Sequence, residues 1–415
     1  MRPIARLLAL GAILSLCLAA ACAPVVAPKP PEAKPAAKLT LARANFADLQ
    51  GWADDTQSAA LAAFVKSCAR VEKLPDERPM GGAVFGAAAA SGGFGGTAAD
   101  WKPPCAEARS LGPKDDGAVR RFFEARFVPY QVRADDKPEG LVTGYYEPEL
   151  KAALKQDSRF RVPLHGRPGD LVTVDLGQFR DAWKGERIAG KVDDGRLVPY
   201  PSRAEIERGA LDGKAPVLAW VDDPVDAFFL QIQGSGRLAL ADGSMRRIGY
   251  EAANGRPYVA IGKVLLDDGA LEEGKVSMQS IRAWLAQNPA KAPAVMAKNP
   301  SFVFFRWQDG ANAAAGPIGA EGIPLSAGRS LAVDRRLIPF GAPLWLETAS
   351  PAAPGETGAP FRRLMVAQDT GGAIVGPVRG DIFFGTGDRA GELAGRMNAP
   401  GRYFVLLPRG LGVPD

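Results

Sequence analysis

Apolar and polar positions alternate in short bursts along most of this 415-residue chain. Runs rich in β-branched and aromatic residues, bounded by Gly, Pro and Asp, recur at Leu141–Tyr146, Leu171–Val174, Pro216–Val221, Ala227–Gln233, Phe302–Trp307, Ala342–Glu347, Arg363–Gln368, Asp381–Phe384 and Arg402–Leu407. Such runs predict strands, and Asp242-Gly243 between two of them predicts a hairpin. Helical spacing is rarer. It predicts helices over Asp55–Val71 and over Val119–Phe127, the second ended by Pro129, with shorter ones at Arg203–Gly209, Val259–Leu265 and Ser277–Gln287. Residues 87–97, AAAASGGFGGT, predict a flexible loop, and no internal repeat is found. The pattern is that of a mainly β fold of barrel type with few peripheral helices.

The first 22 residues break this pattern. Arg2 and Arg6 precede an apolar run, Leu7–Ala21, of signal-peptide length and too short for a membrane span. Ala19-Ala20-Ala21 stands directly before Cys22, an arrangement that predicts lipoprotein-type cleavage with Cys22 acylated. Plain cleavage into the periplasm is the alternative. Residues 23–45 then read as a Pro/Ala-rich tether, its prolines concentrated in APVVAPKPPEAKPAAK. Export permits Cys68 and Cys105 to pair, although two buried free thiols would look the same in sequence.

Charge and composition narrow the chemistry. A net charge of +5 is a mild basic excess, suited to an acidic polymer such as cell-wall glycan and equally to simple solubility. Nucleic acid is an unsuitable partner for an exported chain without a basic recognition helix. The single histidine, His165, lies in the polar stretch VPLHGRPGD and predicts a surface turn. One histidine leaves His-based metal sites without ligands, and no cysteine pair has metal-ligand spacing. The run GTGDRAG (385–391) lacks the glycine spacing of a nucleotide loop. No metal or cofactor is therefore expected.

What remains is carboxylate chemistry. Asp369–Gly395 packs eight glycines and three aspartates into 27 residues, with Asp381 threaded between apolar neighbours in RGDIFFG. A carboxyl in so crowded a place acquires a raised pKa, as a general acid requires. Asp369 is a second acid twelve residues earlier, so a hydrolytic pair and a single acid with a supporting aspartate are both open. Thr143-Gly144-Tyr145-Tyr146 offers flat faces with hydroxyl handles for sugar rings. Gln231 and Gln233, on the run read as a strand, offer amides for hydroxyl or N-acetyl groups.

Several segments carry a resemblance: TGYYEP (143–148), YPSRAEI (200–206), FLQIQGSG (229–236), IGKVL (261–265), SMQSIRAW (277–284), NPSFVFF (299–305), AVDRRLIPFGAPL (332–344) and the block 364–395. In this order, over roughly 140–407, they resemble the membrane-bound lytic murein transglycosylase A (MltA) family. The resemblance implies a double-psi β-barrel built from residues 46–148 and 306–415, with a smaller β domain, 149–305, inserted and the glycan lying between them. It implies non-hydrolytic cleavage of the MurNAc-β-1,4-GlcNAc bond of peptidoglycan to 1,6-anhydromuramoyl ends. Asp381 matches the family's acid, which then serves as base; Asp369 matches a supporting aspartate, and Thr143 a groove residue. Tyr145, Gln231 and Gln233 are further candidates for glycan contact. Peptidoglycan strands would be the partner, together with the outer membrane through Cys22 and with cell-wall synthesis or scaffolding proteins. A hydrolase with two carboxylates and a wall-binding lipoprotein that never cuts are the competing readings.

Overall fold

The computed structural model describes residues 37–84, 92–112, 115–183, 185–308, 315–352 and 356–411. The export segment, Cys22 and most of the tether lie outside them, as does much of the loop expected at 87–97. The tether is shorter than its composition suggests. Leu39–Arg43 forms a strand, β1, because Leu39 and Leu41 alternate inward with Thr40 and Ala42 between them.

The strands fall into three runs. Before the middle region come β1, β2 (Phe127–Ala134) and β3 (Gly140–Glu147). The middle region supplies β4 (Glu149–Ala153), β5 (Val162–His165), β6 (Val172–Asp175), β7 (Arg187–Asp193), β8 (Arg196–Pro199), β9 (Val217–Val221), β10 (Ser235–Leu240), β11 (Met245–Ala253) and β12 (Val303–Trp307). The last run is β13 (Ser330–Val333), β14 (Pro343–Ala349), β15 (Pro360–Asp369), β16 (Arg379–Thr386) and β17 (Asn398–Pro408).

The first and last runs form one sheet ordered β1-β2-β17-β14-β15-β13-β16-β3, and β17 also pairs with β3. That extra pairing closes six strands into a ring. The β13–β15 and β16–β3 pairs are parallel, while the others around the ring are antiparallel. Closure removes the open edges of these six strands, and β1, paired on one side with β2, remains the outer edge of the sheet. Its interior and the helices against it share one core, with Val142, Leu331, Trp345, Ile382 and Tyr403 at its centre.

The middle run pairs only with itself. It forms a mixed sheet, β12-β11-β10-β4-β9-β5, and a small antiparallel one, β6-β7-β8. Its apolar clusters, around Leu150, Leu164 and Phe305 and around Tyr200 and Phe304, are distinct from the barrel core. The chain enters at Pro148 and leaves after Trp307. Both crossings are tied at Arg247, whose guanidinium donates to Glu147 at 2.5 and 3.0 Å and whose carbonyl accepts from the Gln308 amide at 2.8 Å.

Helices α1 (Gln57–Val71), α2 (Ala98–Leu111) and α3 (Asp116–Arg126) pack on the barrel. Cys68 of α1 and Cys105 of α2 form a disulfide with Cα atoms 5.2 Å apart. The middle region carries α4 (Arg203–Glu205), which runs into a wide turn at Ile206–Ala210, then α5 (Pro224–Gln233), α6 (Ile261–Asp267), α7 (Met278–Gln287) and α8 (Ala292–Met296). Finally α9 (Asp388–Arg396) follows β16.

Four local expectations need correction. Ala227–Gln233 is not a strand but the body of α5. Asp223 caps it by accepting the Val225 amide at 2.7 Å, and Pro224 occupies its first turn, where a missing N–H costs nothing. The helix expected at Val119–Phe127 starts earlier, at Asp116, and ends at Arg126, before Pro129, which sits within β2. His165 ends strand β5 instead of a surface turn and is half-buried; desolvation lowers its pKa. Finally, α2 and α9 were not anticipated, the first hidden by Pro103-Pro104 and the second by its glycines.

Candidate active site

The barrel presents four side chains in one row. Ala332 of β13 is the register partner of both Asp369 on β15 and Asp381 on β16, and Asp381 is in turn the partner of Thr143 on β3. Register partners point to the same face. The row therefore reads Asp369, Ala332, Asp381, Thr143 across four strands, with the small Ala332 leaving room between the two acids. At about 4.8 Å per strand the aspartate Cα atoms stand about 10 Å apart. Ile382, Leu331 and Val142 take the opposite face and belong to the core.

Asp369 reaches this row through a bulge. Leu331 pairs with Ala367, but Ala332 pairs with Asp369, so Gln368 is passed over. Bulges commonly re-aim side chains beside active sites. Here Gln368 turns inward, its amide donating to Ala63 O at 2.7 Å and Ser67 Oγ at 2.9 Å, while Asp369 faces the row.

The two acids are then treated differently. Asp369 accepts three hydrogen bonds: from the Tyr145 hydroxyl at 2.7 Å, the Ala320 amide at 2.8 Å and the Thr370 amide at 2.9 Å. Burial raises its pKa, and these donors work against that rise. For Asp381 the described residues supply one hydrogen bond, from the Thr143 hydroxyl to Oδ1 at 2.5 Å. Among the described residues Oδ2 has no partner. Burial pushes the Asp381 carboxyl up to about 6; Arg379 and the Thr143 bond pull it down, and the charge of Asp369 adds to the rise. Arg379 also donates to Thr143 Oγ1 at 2.9 Å and to Gly380 O at 2.5 Å, so it fixes Thr143 without pairing directly with the acid.

Tyr145 lies under this row. Its ring packs on Phe383 at 5.3 Å in a small cluster with Leu325, Ala332 and Ile374. Burial and the Asp369 charge hold its phenol far from ionising. Across from the row comes Tyr258, from the loop between β11 and α6. It is 40% exposed; burial of its hydroxyl raises its pKa, and the charge of Asp381 adds to the rise. Nothing in the sequence marked Tyr258, because its proximity to Asp381 arises only when the middle region folds back on the barrel.

The two glutamines do not join the row. Gln231 is buried on α5, and its carbonyl accepts from Arg203 Nη2 at 2.8 Å. Gln233 accepts the Tyr146 amide at 3.0 Å and so ties α5 to the strand bearing Thr143 and Tyr145. The side-chain carbonyls of both are engaged within the protein. Gly391 is one glycine of this block with a packing reason. A Cβ there would lie 2.9 Å from the Tyr146 ring, so α9 can approach β3 only with a glycine at that turn. Among the described residues no group of three or more His, Cys, Asp or Glu side chains is arranged to hold a metal.

Comparison with known proteins agrees with this architecture. The family model described as the MltA specific insert domain matches residues 141–306, and that of the 3D domain matches 329–407. A membrane-bound lytic murein transglycosylase A from Escherichia coli is 36% identical over 295 residues, 70% of this chain and 72% of that one. A Vibrio cholerae relative of the same name is 34% identical over 276 residues, 66% of each chain. The crystal structure of a membrane-bound lytic murein transglycosylase from Agrobacterium tumefaciens superposes with a TM-score of 0.76 at 37% identity, covering 89% of this chain and 98% of that one. That of E. coli MltA with bound chitohexaose does so with a TM-score of 0.63 at 28% identity, covering 89% and 94%.

These likenesses define the class: an enzyme of the lytic murein transglycosylase type, on a double-psi barrel with an inserted β domain. Within that class the chain belongs to the lytic murein transglycosylase A family.

Proposed function

We propose that the chain cleaves the MurNAc-β-1,4-GlcNAc bond of peptidoglycan without water, with Asp381 as acid and then base. Protonated Asp381 gives its proton to the glycosidic oxygen as the C1–O bond breaks, releasing the GlcNAc hydroxyl. The resulting carboxylate takes the proton of the muramoyl C6 hydroxyl, whose oxygen closes on C1. The acid is thereby restored and a 1,6-anhydro end is left, so no nucleophilic carboxylate and no water are consumed.

The observation that carries this reading is the unequal treatment of the two aspartates. A Cα spacing of about 10 Å would fit a hydrolytic pair as well as a single acid. Asp369, however, is already held by three donors, whereas Asp381 has one oxygen without a partner among the described residues and its carboxyl pushed up to about 6. A group protonated near neutral pH suits proton donation. Thr143 and Arg379 orient Asp381, Asp369 sets Tyr145, and Tyr258 of the inserted region lies within the electrostatic reach of Asp381. The chitohexaose bound to the E. coli relative supports a glycan strand as the ligand of this groove.

Digestion of purified peptidoglycan with mass analysis of the new ends tests the chemistry. Anhydro ends are expected, and ends carrying added water would overturn it. Glycan that binds the intact protein and is never cut would support the wall-binding reading instead.

For location, we propose periplasmic display on the outer membrane through acylated Cys22 and the tether that follows. The relatives' names call them membrane-bound, and among the described residues no helix is long and apolar enough to cross a membrane. Metabolic labelling with a radioactive fatty acid should mark the wild type and not Cys22→Ser; equal labelling would overturn the anchor.

A further inference from the structure

Glu321 is a buried carboxylate that the chemistry above does not use. It is 3% exposed, and burial pushes its carboxyl up to about 7. Its Oε2 accepts the Ser67 hydroxyl of α1 at 2.7 Å, while Oε1 is buried without a hydrogen bond, 3.9 Å from Arg70 Nη1. A charge-bearing group kept this far from water, half unsatisfied, costs stability. An apolar side chain would fill the same space at lower cost, so the carboxyl's placement needs another reason.

The loop around it supplies one. Residue 320 donates its amide to Asp369 Oδ1 at 2.8 Å, and the Glu321 amide donates to Gln368 O at 3.1 Å. Two consecutive amides thus hold both sides of the bulge that turns Asp369 toward the row. On the other side of the loop, α1 grips three points: Ser67 and Arg70 face Glu321, and Lys66 donates to Pro324 O at 3.3 Å and Ser326 Oγ at 2.9 Å. From β15, Gln368 donates to the same Ser67 Oγ at 2.9 Å and to Ala63 O at 2.7 Å. Behind Glu321, Gly341 leaves space that a Cβ would fill, 3.2 Å from Oε1. Leu325, four residues on, packs with Tyr145 and Phe383 beneath the acid.

We propose that Glu321 is a positioning residue for the groove acid. From its seat on Ser67 it fixes the Ala320 amide on Asp369, and through Asp369 the Tyr145 phenol packed against Phe383 beside Asp381. The chain of contacts runs from α1 to the active row without touching substrate. The proposal rests on Asp381 being the acid.

A double-mutant cycle on the full-length protein tests it, read as total glycan ends released per enzyme, with KM measured separately. Glu321→Ala is expected to lower kcat 10- to 100-fold with KM within twofold, and to change kcat by less than threefold when Asp369 is already Asn. Contacting residues couple in this way and independent ones do not. Glu321→Gln, which keeps an acceptor for Ser67, should restore most of the rate. Where the alanine variant does not fold, Ser67→Ala carries the same cycle. An equal fold-loss in both Asp369 backgrounds, a loss confined to thermal stability, or a glutamine variant as impaired as alanine would overturn the proposal. Because total ends are counted, hydrolytic ends would overturn the non-hydrolytic reading while leaving this coupling measurable.

Discussion

Arg203 in the inserted domain and Asp381 in the barrel are both charges withdrawn from bulk water, yet their surroundings are finished differently. Arg203 donates to Asn299 O at 3.1 Å, Ser301 O at 2.7 Å and Gln231 Oε1 at 2.8 Å, meets Glu207 at 3.4 Å, and lies between the rings of Phe228 and Phe302. Asp381 has a threonine hydroxyl on one oxygen and, among the described residues, no partner on the other. A fully partnered charge locks structure; a partly partnered one keeps a proton available. The aspartate row repeats the contrast internally, since Asp369 is finished like Arg203.

The largest effect that would break this contrast lies at Asp381. Asp381→Asn should lower turnover by about 10²–10⁴-fold with glycan affinity retained, measured by product release and equilibrium binding. Its stability should move the other way. A folded-state pKa of about 6, above the ordinary 3.8, means the protonated form favours folding, and that contribution is lost as pH rises through 6. The Asn variant cannot ionise, so above pH 6 it should exceed the wild type by on the order of 1–2 kcal/mol in denaturant unfolding. A variant that is both active and less stable would erase the distinction.

Next comes Arg203→Ala. It strands Gln231 and two backbone carbonyls in the inserted domain and should cost about 3–5 kcal/mol in denaturant unfolding. The pH dependence of whatever activity survives should match the wild type, because Arg203 does not set Asp381. A shifted profile would show that the two centres are not separable.

Reduction of Cys68–Cys105, or replacement of both by Ser, should cost about 2–4 kcal/mol for a closed loop of 37 residues. Unfolding with and without reductant measures it, and kcat at low temperature should stay within threefold. The smallest effect sharpens the row itself. The Thr143 hydrogen bond favours ionised Asp381, so Thr143→Val should raise that pKa above 6. The limb along which kcat/KM falls with rising pH should move upward by about half to one unit, about 1 kcal/mol. A downward shift would mean that Thr143 serves the protonated form.

Much of this was legible in the chain. Alternation fixed most strands, and the crowding of glycine and apolar residues singled out Asp381, which the fold seats in one row with Asp369 and Thr143. What escaped has physical causes. FFLQIQ looks like a strand because a short, mostly apolar helix segment shows the same run; only Asp223-Pro224, a cap and a first-turn proline, distinguished it. Helix α2 carries Pro103 and Pro104, and α9 gives up side chains at Gly391 and Gly395 to pack closely, so both defeat local propensity. Tyr258 and Glu321 were invisible for another reason: their meaning lies in contacts that span more than a hundred residues or bridge separate elements.

The bulge at Gln368 gives the active row a parity. At the end of β15 the skipped residue sends Gln368 toward α1 and leaves Asp369 in the row. Losing a single residue there would exchange the two assignments, seating a carboxylate against α1 and an amide in the cleft. In this protein the count of residues before the site is as much a part of its chemistry as their identity.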